Sequence, residues 1–286
     1  MTSELFFELG MPHLGRHNLN ENALFKVVGH DRWLAIERAG GMKSSEIRDE
    51  DGRRLYATFY FLELALSPER PLGFYGENQR LCFRSDLCRH GQVYIDGRYE
   101  MVEGGPFSIR ASNVFIHQNA GPSRLSLSPA ANVCFASIPE LDSQPDSLDL
   151  CRAARQAGTF LPHELGQTTL GTREVIYQLD PDRDMNGAGL VYFANFICFL
   201  DRAERELLRE AGISESQVDA RSTYWRRIGY FGNAEATDRL HIAITARIQA
   251  SHPKLILAFD YRVLRSSDGK EIVVSSARKV FPATAA

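Results

Sequence analysis

The sequence predicts an α+β protein of two similar halves, each with a long buried helix wrapped by an antiparallel sheet. Three observations support this class. Residues 184–206 form a run that is apolar on nearly every side of a helix, as expected for a helix inside a protein. A second helix pattern with an apolar stripe lies at residues 20–38. Each helix is followed by a loop and then by strand-like runs, so the order of elements repeats.

The helix pattern at residues 20–38 has its own start and stop signals. Asn18 or Asn20 can cap its first turn, because a side-chain oxygen there accepts hydrogen bonds from free backbone N–H groups. Gly40 and Gly41 can end it, because glycine readily adopts the left-handed conformation that follows many helices. We therefore expect a complete helix in the first half.

The second helix pattern, at residues 184–206, starts with a turn rich in Asn and Gly. Its unbroken apolar part is too short to cross a bilayer, so we expect a helix enclosed by other structure, with Gly212 as its stop. The first N–H groups of a helix lack partners and carry the positive end of its dipole. A glycine-rich start therefore lets a ligand approach that end closely.

Strand-like runs follow both helices. In the first half they span residues 55–65, 81–88, 92–95, 108–118 and 132–137, and in the second half 174–179, 223–231, 240–249, 254–263 and 271–280. Turns are expected at Asp51-Gly52 and at residues 267–269.

A stretch with three prolines separates the two halves. It also contains a short helical pattern at residues 148–157, and we interpret the stretch as a linker. The predicted domains are an N-terminal unit at residues 1–138, a linker at 139–165 and a C-terminal unit at 166–286. Each unit alone has too little sheet to cover its helix, so we expect the two sheets to join around both helices.

Composition excludes several classes of protein. An apolar fraction of 44%, a charged fraction of 24% and a net charge of −3 over 286 residues predict a globular protein without affinity for nucleic acid or membrane. The five cysteines include no CxxC pair, which argues for reduced thiols and against zinc or a disulfide framework. Residues 1–20 do not show a signal-peptide pattern, so we expect a cytoplasmic protein.

The second half resembles a known fold family. Residues 180–196 (DPDRDMNGAGLVYFANF) are similar to the signature of 4-hydroxybenzoyl-CoA-thioesterase-like hotdog proteins, and residues 224–227 (YWRR) and 238–242 (DRLHI) resemble the next strands. Across both halves, the chain resembles the double-hotdog bifunctional acyltransferase/decarboxylases of polyketide biosynthesis, of the leinamycin type. That resemblance rests on residues 11–14 (MPHL), 29–33 (GHDRW) and 56–61 (YATFYF).

The resemblance implies a double hotdog fold and a specific activity. In that family, a methylmalonyl group on coenzyme A is decarboxylated and delivered as propionyl to an acyl carrier protein, and a tyrosine of the first half is implicated. It implies acyl-CoA and a carrier protein as partners, with coenzyme A as part of the substrate and no metal or organic cofactor. A tandem repeat already holds the pairing that single hotdogs gain by dimerising, so either a monomer or a homodimer is expected.

Asn186 departs from the thioesterase signature. Thioesterases of that family place a catalytic Asp there, and some carry a His where this chain has Phe193. A neutral amide cannot act as the base or nucleophile that hydrolysis needs, but it can donate a hydrogen bond to a thioester carbonyl. We predict that Asn186 and the backbone N–H groups near Gly187 and Gly189 hold the developing oxyanion. The alternative is that Asn186 only caps or shapes the turn.

Several other side chains are site candidates. Tyr56 and Tyr60 alternate along one strand and share a face, so either can reach the acyl group if that face meets the second helix. The alternative for both is a packing role. Asp184 has either a direct role or one in orienting the turn. His13, near the first helix, is either catalytic or structural.

Charged side chains of the second half complete the predicted site. Arg221, Arg226 and Arg227 are expected to grip coenzyme A phosphates or the acidic helix of a carrier protein, unless they form an ordinary solvated face. Two alternative functions remain. One is a dehydratase or thioesterase on the same fold, in which His13 or His17 would pair with an acid from the other half. The other is an acyl-thioester binder without activity.

Overall fold

The computed structural model describes residues 2–16, 18–119, 124–133, 135–162, 168–250 and 254–282. The first half contains nine strands and one long helix within these residues. They are β1 (Thr2–Glu8), β2 (Leu14–Gly15), β3 (Asn18–Leu19), α1 (Glu21–Gly40), β4 (Tyr56–Leu66), β5 (Arg80–Asp86), β6 (Cys88–His90), β7 (Tyr94–Met101), β8 (Phe107–Gln118) and β9 (Leu125–Leu127).

The second half follows a connecting helix and has the same order of main elements. They are α2 (Asp146–Ala157), β10 (Thr168–Gln178), α3 (Pro181–Asp184), α4 (Asn195–Glu210), α5 (Glu215–Ala220), β11 (Ser222–Tyr230), β12 (Arg239–Ala250), β13 (Leu255–Arg265) and β14 (Glu271–Phe281). Helix α2 lies inside the stretch that the sequence marks as a linker.

One continuous antiparallel sheet joins the two halves. Its strand order is β1-β5-β7-β8-β4-β11-β14-β13-β12-β10, and β6 and β9 add to β7 and β8. Read from the centre, the order is the same in both directions, because β4 and β11 are equivalent strands of a repeated unit. The sheet wraps α1 and α4, whose apolar side chains share one core with it. This is the double hotdog architecture that the sequence predicts.

The first helix forms where the sequence predicts it. Asn20 is the N-cap of α1, and its side chain accepts hydrogen bonds from the N–H groups of Asn22 at 2.8 Å and Ala23 at 3.2 Å. The helix ends at Gly41, whose φ of 65° is the left-handed conformation expected there. The cap and the glycine satisfy backbone groups that the helix itself leaves free.

The second helix begins later than predicted. The sequence predicts a turn from residue 184 and a helix from about residue 190, but α4 starts only at Asn195, and the apolar residues 190–194 form a turn. Gly189, inside the predicted turn, has a φ of 70°. The apolar character of this segment reflects burial of a loop between sheet and helix.

The strand predictions at residues 55–65, 81–88 and 108–118 and for β11 to β14 are confirmed, those at 92–95 and 174–179 find only part of β7 and β10, and the one at 132–137 is wrong. Within the described residues of 132–137 there is no strand, since Phe135 packs on Phe115 at a ring distance of 5.5 Å instead. The sequence did not predict β1, β9 or α5. In the part of the chain that the structure describes, no helix is long and apolar enough to cross a membrane.

Candidate functional site

Two clefts flank the strand pair that joins the halves. Strands β4 and β11 are paired only from Phe61 opposite Gly229 to Ala65 opposite Trp225. Beyond either end the strands separate. A cavity of about 1050 Å³ lies beyond the first end, and a smaller one of about 470 Å³ lies beyond the other. We call them the first and the second cleft. The repeat makes their positions equivalent.

The inner wall of the first cleft is aromatic. It contains Trp33, Phe59, Tyr192, Phe193, Phe196 and Tyr230. The rings of Phe59 and Phe193 are 3.9 Å apart, and a Cβ on Gly29 would lie only 2.5 Å from the Phe193 ring. Gly29 of α1 therefore gives Phe193 the room to lie against that helix. The result is an apolar wall beside the start of α4.

Asn186 lies on the cavity wall in a tight turn. Its Oδ1 accepts hydrogen bonds from the N–H groups of Ala188 at 2.9 Å and Leu190 at 3.2 Å. The structure thus shows that Asn186 stabilises the turn through its Oδ1, and this role does not use its Nδ2 donor. Of the described residues, none accepts a hydrogen bond from Nδ2. Gly187 lines the cavity as well, whereas Gly189 shapes the turn away from it.

The start of α4 follows this turn. No side chain caps its first residues, but the N–H groups of Asn195 and Ile197 donate to the carbonyl oxygens of Tyr192 at 2.8 Å and Ala194 at 3.1 Å. Phe193 and Phe196, on either side of Ala194, both line the cavity. The carbonyl groups of this segment are held, because Tyr230 donates to Phe193 at 3.1 Å and Asn22 donates to Ala194 at 2.6 Å. Uncapped N–H groups at a helix start attract negative charge.

Asp184 has an architectural place in the structure. Its carboxylate is almost fully buried and accepts hydrogen bonds from Tyr177 at 3.1 Å and from the N–H of Asp180 at 2.9 Å. Arg183 pairs with the same carboxylate. Asp184 does not line the first cleft, so of the two predicted alternatives the structure favours orientation of the turn.

Both predicted tyrosines face the first cleft. Tyr56 and Tyr60 pack on the outer face of the sheet, whereas Phe59 between them belongs to the inner core. Burial raises the pKa of Tyr60 to about 12, so its phenol stays protonated at neutral pH. Burial likewise raises the pKa of the Cys151 thiol, on α2 in the same cavity, to about 12. Both groups are therefore poor nucleophiles at neutral pH.

All three second-half arginines predicted to grip phosphates are paired within the protein. Arg226 is fully buried against Glu21. Arg221 Nε lies 2.8 Å from Glu204, and Arg227 Nε lies 2.7 Å from Glu63. A guanidinium held in this way has little freedom to bind a ligand. Two of the paired carboxylates, Glu21 and Glu63, lie in the other half of the chain, so the sequence alone could not reveal these pairs.

Other arginines stand at the first cleft. Arg54, Arg152 and Arg155 line it and are exposed. Arg54 stacks on Tyr56 at 4.8 Å, and Arg155 stacks on Phe231 at 5.3 Å. Neither has an ion-pair partner among the described residues. Sequence reasoning missed them because two lie in the linker. The available signal was the helical spacing of the linker residues.

The structure separates the predicted histidine from the first cleft. His13 closes a short 3-10 turn, where its Nδ1 accepts a hydrogen bond from the N–H of Gly10 at 3.1 Å, and its ring lies 5.8 Å from that of Phe7. It lines neither cleft, so the catalytic alternative for His13 is wrong in this structure. His17 lies outside the described residues. Among the described residues that line the first cleft, none is His, Asp or Glu.

The second cleft is crossed by an ionic network. Glu204 is fully buried and accepts hydrogen bonds from Tyr261 at 2.5 Å and Lys279 at 2.6 Å, besides its bond with Arg221. Glu21, in the first turn of α1, pairs with Arg226. The described residues contain no group of three or more side chains suited to hold a metal ion. Of the two clefts, the first is therefore the larger and the less charged.

Solved structures with this fold cover nearly the whole chain. A putative oleoyl thioesterase from Lactobacillus plantarum matches with a TM-score of 0.67 over 99% of this chain and 96% of that chain, at 7% identity. An acyl-ACP thioesterase from Bacteroides thetaiotaomicron VPI-5482 matches with a TM-score of 0.62 over 98% of each chain, at 11% identity.

A third similar structure is the 12:0-ACP thioesterase from Umbellularia californica. Its TM-score is 0.64 over 98% of this chain and 94% of that chain, at 10% identity. At such low identities the likeness shows the fold alone, which is that of hotdog acyl-thioesterases. No protein-family model matches the sequence, and no curated protein does.

Proposed function

We propose that the protein binds an acyl thioester, on coenzyme A or a carrier protein, in the first cleft and acts at its carbonyl group. One observation carries this proposal. Asn186, whose amide donor has no acceptor among the described residues, and the first turn of α4, which has no side-chain cap, both border the same largely apolar cavity. Fixed donors of this kind stabilise negative charge on a carbonyl oxygen, and they gain strength where water is excluded.

The first candidate reaction is decarboxylation of a malonyl-type thioester, such as methylmalonyl-CoA, with transfer of the acyl group to a carrier protein. The C–C bond to the carboxylate breaks and CO₂ leaves. The electron pair of that bond stays on the substrate and forms an enolate, whose oxygen accepts hydrogen bonds from the donors. Protonation of the carbon then yields the propionyl thioester. This step needs no general base, which agrees with the absence of Asp, Glu and His among the described lining residues.

Tyr60 suits a proton-donor role in this reaction. Its phenol lies on the cavity wall, and burial holds its pKa near 12, well above neutral pH. A protonated phenol can deliver a proton to an enolate carbon more readily than it can attack a carbonyl group. Transfer is then a thiol exchange in which the carrier thiol attacks the propionyl carbonyl and coenzyme A leaves as its thiol.

The arginines at the cleft suit the far end of such a substrate. Arg54 and Arg155 lie on aromatic rings and are free of internal ion pairs among the described residues. Guanidinium groups bind phosphate oxygens in two-point contacts. We infer that they hold the phosphates of coenzyme A or the acidic surface of a carrier protein.

Hydrolysis is the second candidate reaction. Similar structures favour it, because three that match nearly the whole chain are named as thioesterases. Hydrolysis would need a group that activates water. Asn186 can orient water but cannot remove its proton. We therefore expect hydrolysis of saturated acyl thioesters to be slower than decarboxylation of malonyl-type thioesters.

Intact-mass spectrometry with a carrier protein tests the proposal. The protein is incubated with methylmalonyl-CoA or with butyryl-CoA, and both acyl-CoA products and carrier mass are recorded. We expect loss of CO₂ from methylmalonyl-CoA and propionyl on the carrier, with little free acid from butyryl-CoA. Free acid from both substrates, without carrier loading, would establish the thioesterase. Unchanged substrates that nevertheless bind would establish a binder without activity.

A further inference from the structure

His117 lies near the end of β8, and the proposed reaction does not use it. Its side chain is buried on the face of the strand opposite Ile116, which lines the first cleft. The Nε2 atom of its ring lies 3.0 Å from Oδ1 of Asn119, and Nδ1 lies 3.6 Å from Oδ2 of Asp49. The second distance is longer than a hydrogen bond, and no described residue forms a hydrogen bond with Nδ1.

The partners of the His117 ring indicate where its protons lie. Asn119 donates through its Nδ2 to Ser126 at 2.6 Å, so its Oδ1 is the atom that faces His117. Nε2 therefore carries a proton, and Nδ1 of a neutral ring would present a lone pair to the carboxylate of Asp49. A second proton turns this contact into a charge-assisted hydrogen bond. The geometry thus favours the charged form of the ring.

Asp49 organises a hairpin at residues 47–55. Its Oδ1 accepts hydrogen bonds from the N–H groups of Asp51 at 3.1 Å and Arg53 at 2.8 Å. Its Oδ2 accepts from Nε of Arg53 at 2.8 Å and faces His117. Although desolvation opposes ionisation, hydrogen bonds and charge from Arg53 lower the pKa of Asp49, so its carboxylate is charged at neutral pH. Oδ1 thus shapes the hairpin, and Oδ2 is the atom that can tie it to β8.

The charged groups around the His117 ring differ in exposure. Arg53 opposes a second proton on the ring, but 48% of its side chain is exposed, whereas the side chain of Asp49 is buried. Water and salt screen an exposed charge far more than a buried one, so the carboxylate has the stronger influence. The other charged residues of the hairpin and of the start of β9 are exposed or bound elsewhere, and they are Arg48, Glu50, Asp51, Arg54 and Arg124.

The end of β8 contacts two segments that border the first cleft. The first is the hairpin, in which Arg48 and Arg54 form an antiparallel bridge and Arg54 lines the cleft. The second is the turn of Asn186, because Gln118 donates through its Nε2 to the carbonyl of Ala188 at 3.2 Å. The strand end therefore connects the segment that carries Arg54 with the segment that carries Asn186.

We propose that His117 is a positioning residue of the first cleft, whose protonated ring ties the hairpin to β8 and thereby holds Arg54 at the cleft. This inference rests on the proposed acyl-thioester function and adds a dependence on pH. Loss of the Nδ1 proton removes the bond to Asp49 and loosens the hairpin. Affinity for an acyl-CoA should therefore fall as the pH rises from about 5 to about 8, the range in which histidines lose their charge.

Affinities for butyryl-CoA between about pH 5.5 and pH 8, measured by calorimetry, test the inference. We expect the wild type to lose about threefold more affinity over this range than His117→Gln, which keeps a donor for Asn119 but has no charge. Asp49→Asn keeps the Oδ1 acceptor of the hairpin and should remove the same difference. His241→Gln, at an exposed position on β12, is the matched control and should follow the wild type.

The outcomes separate the inference from the proposed function. Titration of the phosphates of coenzyme A is common to all variants and cancels in the comparison. Butyryl-pantetheine, which lacks those phosphates, should bind all variants equally and so reports that each is folded. Parallel pH profiles in the wild type and His117→Gln, or a His117 ring that stays neutral throughout an NMR titration, would overturn the positioning role. If neither thioester binds the wild type, the proposed function fails and the inference fails with it.

Discussion

The first and second clefts have equivalent places in the repeat but opposite chemistry. In the first, aromatic and aliphatic side chains surround an uncapped helix start. In the second, Asn20 caps α1, and Glu21 in its first turn is tied to Arg226. The same architecture thus leaves one helix start without a side-chain cap and gives the other both a cap and an ion pair. We infer that the repeat supplies stability on one side and a site on the other.

Removal of one partner from the ionic network should have the largest effect. Arg226→Ala leaves the buried carboxylate of Glu21 without its ion pair, and we expect a loss of about 3–5 kcal/mol in the free energy of unfolding. Urea denaturation measures it. Arg173→Ala, which removes surface ion pairs with Glu206 and Glu210, is the control and should cost less than about 1 kcal/mol. Equal losses would mean that the network is not a structural centre.

Asn186→Asp separates the two roles of Asn186. A carboxylate can still accept from the N–H groups of Ala188 and Leu190, so the turn should persist, but the donor is lost. We expect decarboxylation of methylmalonyl-CoA to slow about 100-fold or more, with a small change in stability. Asn186→Ala should lose both roles. If the Asn186→Asp variant decarboxylates methylmalonyl-CoA at the wild-type rate, Asn186 is only a turn residue.

A side chain at Gly29 should disturb the wall of the first cleft. In Gly29→Ala the new methyl would lie 2.5 Å from the Phe193 ring, so the ring must move, at a cost of about 1–3 kcal/mol. Gly187→Ala is the control, since its methyl would meet no atom within 4 Å. Denaturation and acyl-CoA affinity are measured for both. Wild-type affinity and stability in Gly29→Ala would show that the Phe193 position is unimportant.

The two free arginines should have a smaller and salt-dependent effect. Arg54→Ala with Arg155→Ala should weaken binding of an acyl-CoA by about tenfold at low salt, and less at high salt. Binding of the same acyl group on pantetheine, which lacks the coenzyme A phosphates and nucleotide, should hardly change. An equal loss for both thioesters would place the arginines at the acyl end of the site.

The pH dependence should show little effect of Tyr60 near neutrality. Burial raises the pKa of its phenol to about 12, so it keeps its proton from about pH 7 to about pH 10. The rate profile of the wild type should therefore show no step from this residue in that range. A step that is present in the wild type and absent in Tyr60→Phe would contradict the protonated-donor role.

Local signals in the sequence were sufficient where the structure depends on neighbours along the chain. The Asn20 cap and the Gly41 stop of α1 depend on residues within one turn, so the pattern revealed both. The start of α4 was not revealed, because the apolar residues 190–194 continue the helical pattern in the sequence but form a buried turn in the structure. Burial of a loop and burial of a helix give the same apolar pattern.

Tertiary partners explain the remaining misses. Arg226 looked available because its partner, Glu21, lies in the other half of the chain. The helical pattern of α2 was visible, but its place over the separated strands follows from the sheet, and so does the exposure of Arg155 at the cavity. Tyr56 and Tyr60 share a face, because side chains alternate along a strand, but that face is the outer one, so they border the cavity without facing α4.

Calorimetric titration with a non-hydrolysable acyl-CoA analogue tests most directly that only the first cleft is a thioester site. We predict one site per chain, with binding abolished by Thr58→Trp, which places a bulky ring in the first cleft. Cys198→Trp, in the second cleft, should leave the affinity unchanged. Two sites per chain, or loss of binding only in Cys198→Trp, would contradict this assignment.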